Sequence, residues 1–457
     1  MKSLILLSAL GVLSLLAEIF NFKKYLFTLV IVGILGVIAV ALKDWNTNIH
    51  YYSEMFVFDN FAISFSILVC IIAFLWLILA KSYFIDETNV TDHISLVLFC
   101  IVGSICMIGF NNMVLLFIGI EILSLSLYVM AGSKKNDLYS NEAALKYFLM
   151  GSFATGFLLF GIALIYGASG TFHLHKIAAY ITETPATSIP NFFYLGVLFM
   201  LVGMGFKVAA APFHFWAPDV YQGSPTVVTA FMATVVKTAA FASFYKLFSI
   251  YFGTIGESWK DIVSIMSVVS LLIGNLTALY QKSIKRMLAF SSIAHAGYML
   301  LALLANQKAG SSVLFYSASY SIATLATFTV LFAVLKSRGD GIDGFNGIGS
   351  SNPFIAFVMS ASLFSLAGIP PMAGFFAKYF LFVNAIQTNY TWLVIIAVIG
   401  SLISVVYYFK IIIAMYLRPA ENSEKLEVSS QHKILLLVCL IMMLGLGFFS
   451  DIFLRLI

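Results

Sequence analysis

KVAAAPFHFWAPDVYQGSPTVVTAFMATVVK, from Lys207 to Lys237, places three prolines and a histidine between two lysines, inside a stretch that is otherwise apolar from 191 to 252. Proline removes a backbone donor and displaces the helical hydrogen bond to the residue four before it, so Pro212 frees the carbonyl of Val208. In lipid an unsatisfied backbone group is costly, so a broken helix survives only where protein or a water-filled cavity receives the freed groups. A second apolar stretch, 353–387, repeats the pattern with Pro370, Pro371 and Lys378, and there Pro370 frees the carbonyl of Leu366. Two lysine-bearing broken helices imply a membrane bundle built around a polar interior.

Composition agrees with lipid as the solvent. The chain has 457 residues, 61% hydrophobic and only 10% charged, with mean hydropathy +1.01. A soluble domain carries about 25% charged residues. Working outward from the two broken segments, stretches long enough to span lie at 3–20, 25–42, 60–80, 94–109, 112–131, 143–167, 191–220, 226–252, 261–281, 287–305, 311–335, 353–387, 391–417 and 434–454. The first, MKSLILLSALGVLSLL, imitates a signal peptide, but no A-x-A site precedes Glu18 and another apolar segment follows at once, so an uncleaved first helix is expected.

The net charge of +5 is dispersed without a basic run, which argues against nucleic acid. Cys70, Cys100, Cys106 and Cys439 lie in apolar runs without a CxxC pair, and are expected as small core residues rather than metal ligands.

Lysine and arginine set the orientation. Lys23, Lys24, Lys81, Lys134, Lys135, Lys282, Lys285, Arg286, Lys336, Arg338, Arg418, Lys425 and Lys433 fall on one side; Lys2, Lys43, Lys176, Lys260, Lys308 and Arg455 fall on the other. The richer side is expected to be cytoplasmic, with both termini periplasmic. Six of the 25 basic residues remain inside apolar segments. Lys146, Lys246 and Lys410 lie near enough to helix ends to snorkel. Lys207, Lys237 and Lys378 do not.

A lysine at the bilayer centre costs about 2.5–3.5 kcal/mol on insertion scales. Glu121, within LLFIGIEILSLSLYVM, is the single acid at that depth, so at least two of the three deep lysines lack a carboxylate partner. Structural ion pairs explain one Glu–Lys pair but not this excess. Desolvation works against an unpaired ammonium and a nearby carboxylate works for it, so a buried lysine with a movable acid can load and release protons. His214 and His295 extend the line. The order also repeats. Glu121, Lys207 in a broken segment and Lys237 are followed by His295, Lys378 in a broken segment and Lys410. Interrupted helices at corresponding places point to repeats with a site at their interface. Segments 4–8 and 9–13 form the two units, and five helices per unit invert the second. The expected divisions are 1–93 for helices 1–3, 94–253 and 260–418 for the repeats, and 433–457 for helix 14.

The segment from Lys207 to Lys237 resembles the signature of the antiporter-like subunits of respiratory complex I, and its PDVYQGSPT resembles the subunit N (ND2-type) branch rather than subunits L and M or the multisubunit sodium/proton antiporters. KSIKRMLAFSSIAHAGYM, GIPPMAGFFAKYFLF and EAALKYFLMGSFATGFLLFGIALIYGASGT fit the same branch, and the similarity covers nearly the whole chain. The resemblance implies an all-α polytopic membrane protein of about fourteen helices, with two inverted five-helix repeats and discontinuous helices 7 and 12. It implies a proton path through Glu121 (helix 5), Lys207 (helix 7), Lys237 (helix 8), His295 (helix 10) and Lys378 (helix 12), with Lys146, His214 and Lys285 at further polar positions; the repeat adds Lys410. It implies a subunit of a proton-translocating NADH-quinone oxidoreductase in the inner membrane, associated with other membrane subunits. Quinone, flavin and iron–sulfur clusters would belong to partner subunits, and no cofactor or metal is expected in this chain. A subunit of a cation/proton antiporter and a structural membrane subunit with fixed ion pairs are the alternatives.

Overall fold

A computed structural model describes residues 1–20, 22–84, 89–305, 309–419 and 425–454; Lys308 and Arg455 lie outside the described residues. Among the described residues, twelve uninterrupted helices are long and apolar enough to cross a membrane. They are α1 (Lys2–Ile19), α2 (Lys23–Lys43), α3 (Asn60–Phe84), α4 (Val90–Gly109), α5 (Met113–Ala131), α6 (Leu138–Ser169), α8 (Thr226–Tyr251), α9 (Lys260–Ala278), α10 (Ile284–Leu304), α11 (Gly310–Arg338), α13 (Thr391–Leu417) and α14 (Ser430–Phe448). The other two spans are interrupted, as their prolines require. The seventh consists of α7a (Asn191–Lys207) and α7b (Trp216–Gly223), and the twelfth of α12a (Pro353–Ala367) and α12b (Ala373–Gln387).

Local chemistry sets the helix ends. Asn112, Asp137, Ser283 and Ser429 cap the starts of α5, α6, α10 and α14 by accepting from backbone N–H groups. Two features lie between the apolar segments without a hydrophobic signal of their own. A hairpin pairs Ile49–Tyr51 with Phe56–Phe58, and a short amphipathic helix, Leu174–Glu183, precedes α7a.

The broken helix stands fourth in the run α4 to α8 and fourth again in the run α9 to α13. α8, α10 and α11 form the centre. α8 and α10 are buried on every face, and α8 packs on α10 and α11. α12b packs against α10, α11 and α13, which brings the second break to the same centre. All four cysteines are buried and free, as expected of core residues.

Candidate functional site

The break in α7 is filled by side chains. The indole Nε1 of Trp216 donates to the Phe206 carbonyl at 3.1 Å, and the Ala211 N–H donates to Ser270 Oγ of α9 at 2.8 Å. These bonds satisfy groups that lipid would leave unpaired. Lys207, the last residue of α7a, is buried and donates to Ser124 Oγ of α5 at 2.6 Å. Glu121 lies one turn earlier on α5 and is half-buried, with its Oε1 enclosed and unpaired. Glu121 and Lys207 are therefore near neighbours without a direct ion pair: a hydroxyl, and no carboxylate, holds the ammonium. His214 sits in the break, buried and stacked on Phe215, with Nδ1 lacking a partner.

Lys237 follows a π-turn over Met232–Val236, a wide turn that re-aims a side chain. Its Nζ donates to Ser292 Oγ at 2.6 Å and to the Ser292 carbonyl, and lies 5.3 Å from the centre of the Tyr320 ring. One turn along α10 from Ser292 stands His295. His295 Nδ1 is 2.7 Å from Tyr316 Oη, its Nε2 is 3.4 Å from Tyr408 Oη, and Tyr408 Oη also bonds Ser291 Oγ. One turn to one side of it Ser292 holds Lys237, and one turn to the other side Lys378 rests over Tyr298. It is the polar group between them.

Lys378 completes the row from the far side. Its Nζ donates to the Ala367 carbonyl at 2.7 Å and to Ser401 Oγ at 2.8 Å, and rests over Tyr298 at 4.6 Å. The carbonyl that it caps is the last of α12a. The next residue, Gly368, turns the chain with φ +84°. Among the described residues, Lys207, Lys237 and Lys378 have no carboxylate within 4 Å; the ion pairs lie elsewhere.

The remaining basic candidates play other parts. Lys146 pairs with Glu142 at 2.6 Å and with Asp219 of α7b at 2.7 Å. Arg286 grips the other oxygen of Asp219 at 2.7 Å. Lys285 donates to the carbonyls of Gln222 (2.9 Å) and Ser224 (2.6 Å), closing the end of α7b. Lys410 is half-buried and donates to the Leu279 carbonyl at the end of α9, 2.6 Å away. Lys246 departs from the expected snorkelling. It is 3% exposed, 3.3 Å from the Ile108 carbonyl and 5.5 Å from the centre of the Phe110 ring. Its neighbours on α8, Phe244, Tyr245, Leu247 and Phe248, are fully buried too, so this turn lies away from lipid. The carbonyl end of α4 receives its charge instead.

The structure thus gathers Lys237, His295 and Lys378 into one row and sets Lys207 beside Glu121. Among the described residues no hydrogen bond joins Lys207 to Lys237. Hydroxyl groups that sequence reasoning passed over complete the site: Ser124, Ser292, Tyr316, Tyr408 and Ser401. Their signal was the recurrence of Ser and Tyr one turn from a deep charge, as in Ser291, Ser292 and His295.

A protein-family profile described as "NADH:quinone oxidoreductase/Mrp antiporter, TM" matches residues 111–404. NADH-quinone oxidoreductase subunit N of Flavobacterium psychrophilum is 43% identical over 459 residues, covering 100% of both chains. The chain belongs to this family. Subunit N of Trichlorobacter lovleyi is 42% identical over 426 residues, covering 92% of this chain and 87% of its own. Among solved structures, respiratory complex I from Thermus thermophilus with bound aureothin has a chain with TM-score 0.85 and 31% identity, covering 99% of this chain and 98% of that one. The Mrp complex from Dietzia sp. DQ12-45-1b matches with TM-score 0.87 at 20% identity, covering 99% of this chain and 95% of that one. That second likeness is one of fold. The fold is similar to that of the antiporter-like subunits of complex I.

Proposed function

We propose that this chain is subunit N of a proton-translocating NADH-quinone oxidoreductase, and that it moves protons through the row Lys207, Lys237, His295 and Lys378, with Glu121 modulating the entry. The observation that carries the reading is the row Lys237, His295 and Lys378, with Lys207 apart from it beside Glu121: buried groups held by hydroxyls and carbonyls rather than by acids. Such a group can lose its proton without leaving a carboxylate charge behind in the same contact. Each serine or tyrosine hydroxyl both donates and accepts, so it can pass a proton between neighbours. Glu121 acts on Lys207 through space. Movement of that carboxylate toward or away from the ammonium changes the cost of keeping the lysine charged. Lys146, His214, Lys285 and Lys410 serve as supports of the two breaks and the adjoining helix ends.

The lysine-rich side is cytoplasmic in this reading, both termini are periplasmic, and the membrane is the cell inner membrane. Protons enter beside Lys207 and leave beyond Lys378. The repeat boundaries at 94–253 and 260–418 follow the helix order. Other membrane subunits are the partners, and flavin, iron–sulfur clusters and quinone reduction reside in them. The likeness to the Mrp complex favours a cation/proton antiporter less than the 43% identity to subunit N favours this reading. Proton flux per electron pair in membrane vesicles tests it, with assembly checked by native gel. Lys378→Ala is expected to assemble and to lower flux by about tenfold or more, since positioned proton donors and acceptors contribute 10²–10⁴-fold. Normal rate and stoichiometry in that variant would make Lys378 a structural cap and move the exit elsewhere.

A further inference from the structure

The rim on the lysine-rich side contains a cavity of about 350 Å³ that the proton row does not use. It lies where α3 and α11 end and α14 begins. We propose that it binds the phosphate ester of a phospholipid headgroup.

Lys134, from the turn between α5 and α6, and Lys336, from the last turn of α11, both line the cavity. Among the described residues neither has a carboxylate within 4 Å. Two like charges facing one space repel, and an anion between them relieves that cost. His432 forms part of the wall and is 4% exposed. Its Nε2 lies 3.2 Å from the Leu79 carbonyl and 3.0 Å from Ser82 Oγ. A carbonyl only accepts, so Nε2 carries a hydrogen. Among the described residues Nδ1 makes no hydrogen bond, and in the neutral ring it accepts, as from the ammonium or hydroxyl of a headgroup. The same wall is the first turn of α14, a nineteen-residue helix whose N-cap is Ser429. A helix start presents free N–H groups and the positive end of its dipole.

Two further features select an amphiphile over a bare anion. Glu427 lines the cavity with the lysines, which penalises inorganic phosphate but suits a headgroup carrying an ammonium or hydroxyl beside its phosphate. Phe332 and Leu335 supply apolar wall next to the lysines, as a glycerol backbone requires. The volume falls in the usual range of small-ligand sites, about 300–1,000 Å³. Basic pockets between membrane helices on the cytoplasmic side are the common setting for lipid headgroups.

The test uses the intact complex in detergent, with short-chain phosphatidylethanolamine and inorganic phosphate as separate probes in a calorimetric titration. The double variant Lys134→Gln/Lys336→Gln is expected to weaken phosphatidylethanolamine binding by about tenfold or more. Lys134→Arg/Lys336→Arg should retain binding, and Lys135→Gln, an exposed neighbour outside the cavity, should change nothing. Native gels establish that each variant assembles. Equally tight, lysine-dependent binding of inorganic phosphate would keep the anion site and overturn the lipid as its source. Unchanged phosphatidylethanolamine affinity in the double glutamine variant would overturn the proposal.

Discussion

At Lys207 the ammonium meets Ser124 and not the nearby Glu121, and this arrangement decides what a substitution should do. Lys207→Arg keeps a charge in place but supplies a guanidinium that stays protonated. Proton flux per electron pair should fall by about tenfold or more, as in Lys207→Ala, while native gels still show the assembled complex. Normal pumping by the arginine variant would rule out release from this position. Ser124→Ala removes the hydroxyl and leaves a buried ammonium without that partner. Such a loss costs about 1–3 kcal/mol, so the complex should melt earlier and pump more slowly. The deep charges were legible in the sequence because lysine is so unusual in an apolar run. Their hydroxyl partners were not, because serine and tyrosine are ordinary residues in membrane helices and only packing shows which of them face a lysine.

Among the elements, the two broken helices matter most, and each is held by a different device. In α12 the turn between the halves needs Gly368, whose φ is +84°. A Cβ there would lie 2.9 Å from Lys378 Cδ and 3.2 Å from its Nζ. Gly368→Ala should therefore cost about 1–2 kcal/mol in backbone strain and also push Lys378 off the Ala367 carbonyl. The expected result is assembled complex with reduced proton flux; a variant with normal flux would mean that Lys378 does not need that contact. In α7 the second half is anchored through Asp219, which takes Lys146 from α6 and Arg286 from α10. These pairs are about one-third exposed, so each contributes no more than about 1 kcal/mol. Asp219→Asn should lower the melting temperature by a few degrees, more strongly at low salt than at high salt. Salt-independent destabilisation would argue against the ion pairs as the cause. The sequence announced both breaks through their prolines, whereas the hub at Asp219 joins residues 73 and 67 positions apart and was not readable there.

The whole molecule leaves little outside the bilayer. Among the described residues the connections between spans are short, apart from the hairpin at 49–58 and the helix Leu174–Glu183. The purified chain alone is expected to show no quinone reduction with a donor, and to co-purify with other membrane subunits when taken from its own membrane. Quinone reduction by the isolated chain would refute this. The outer faces of α6 and α13 carry large exposed apolar side chains, including Phe153, Phe160, Leu402 and Val406, as surfaces that meet lipid or another subunit do.

Hydrophobicity, proline and the spacing of lysines were enough to establish a polytopic bundle, its two breaks and three of its deep charges, Lys207, Lys237 and Lys378. These are local properties: lipid penalises every exposed polar group, so each span must announce itself in its own residues. Tertiary structure alone decided which groups hold those charges. It placed Ser124 rather than Glu121 on Lys207, buried Lys246 under the end of α4, and drew Lys237, His295 and Lys378 into one row from α8, α10 and α12b. The physical reason is that a buried ammonium takes whichever acceptor packing brings within about 3 Å, and that distance depends on how helices far apart in sequence cross.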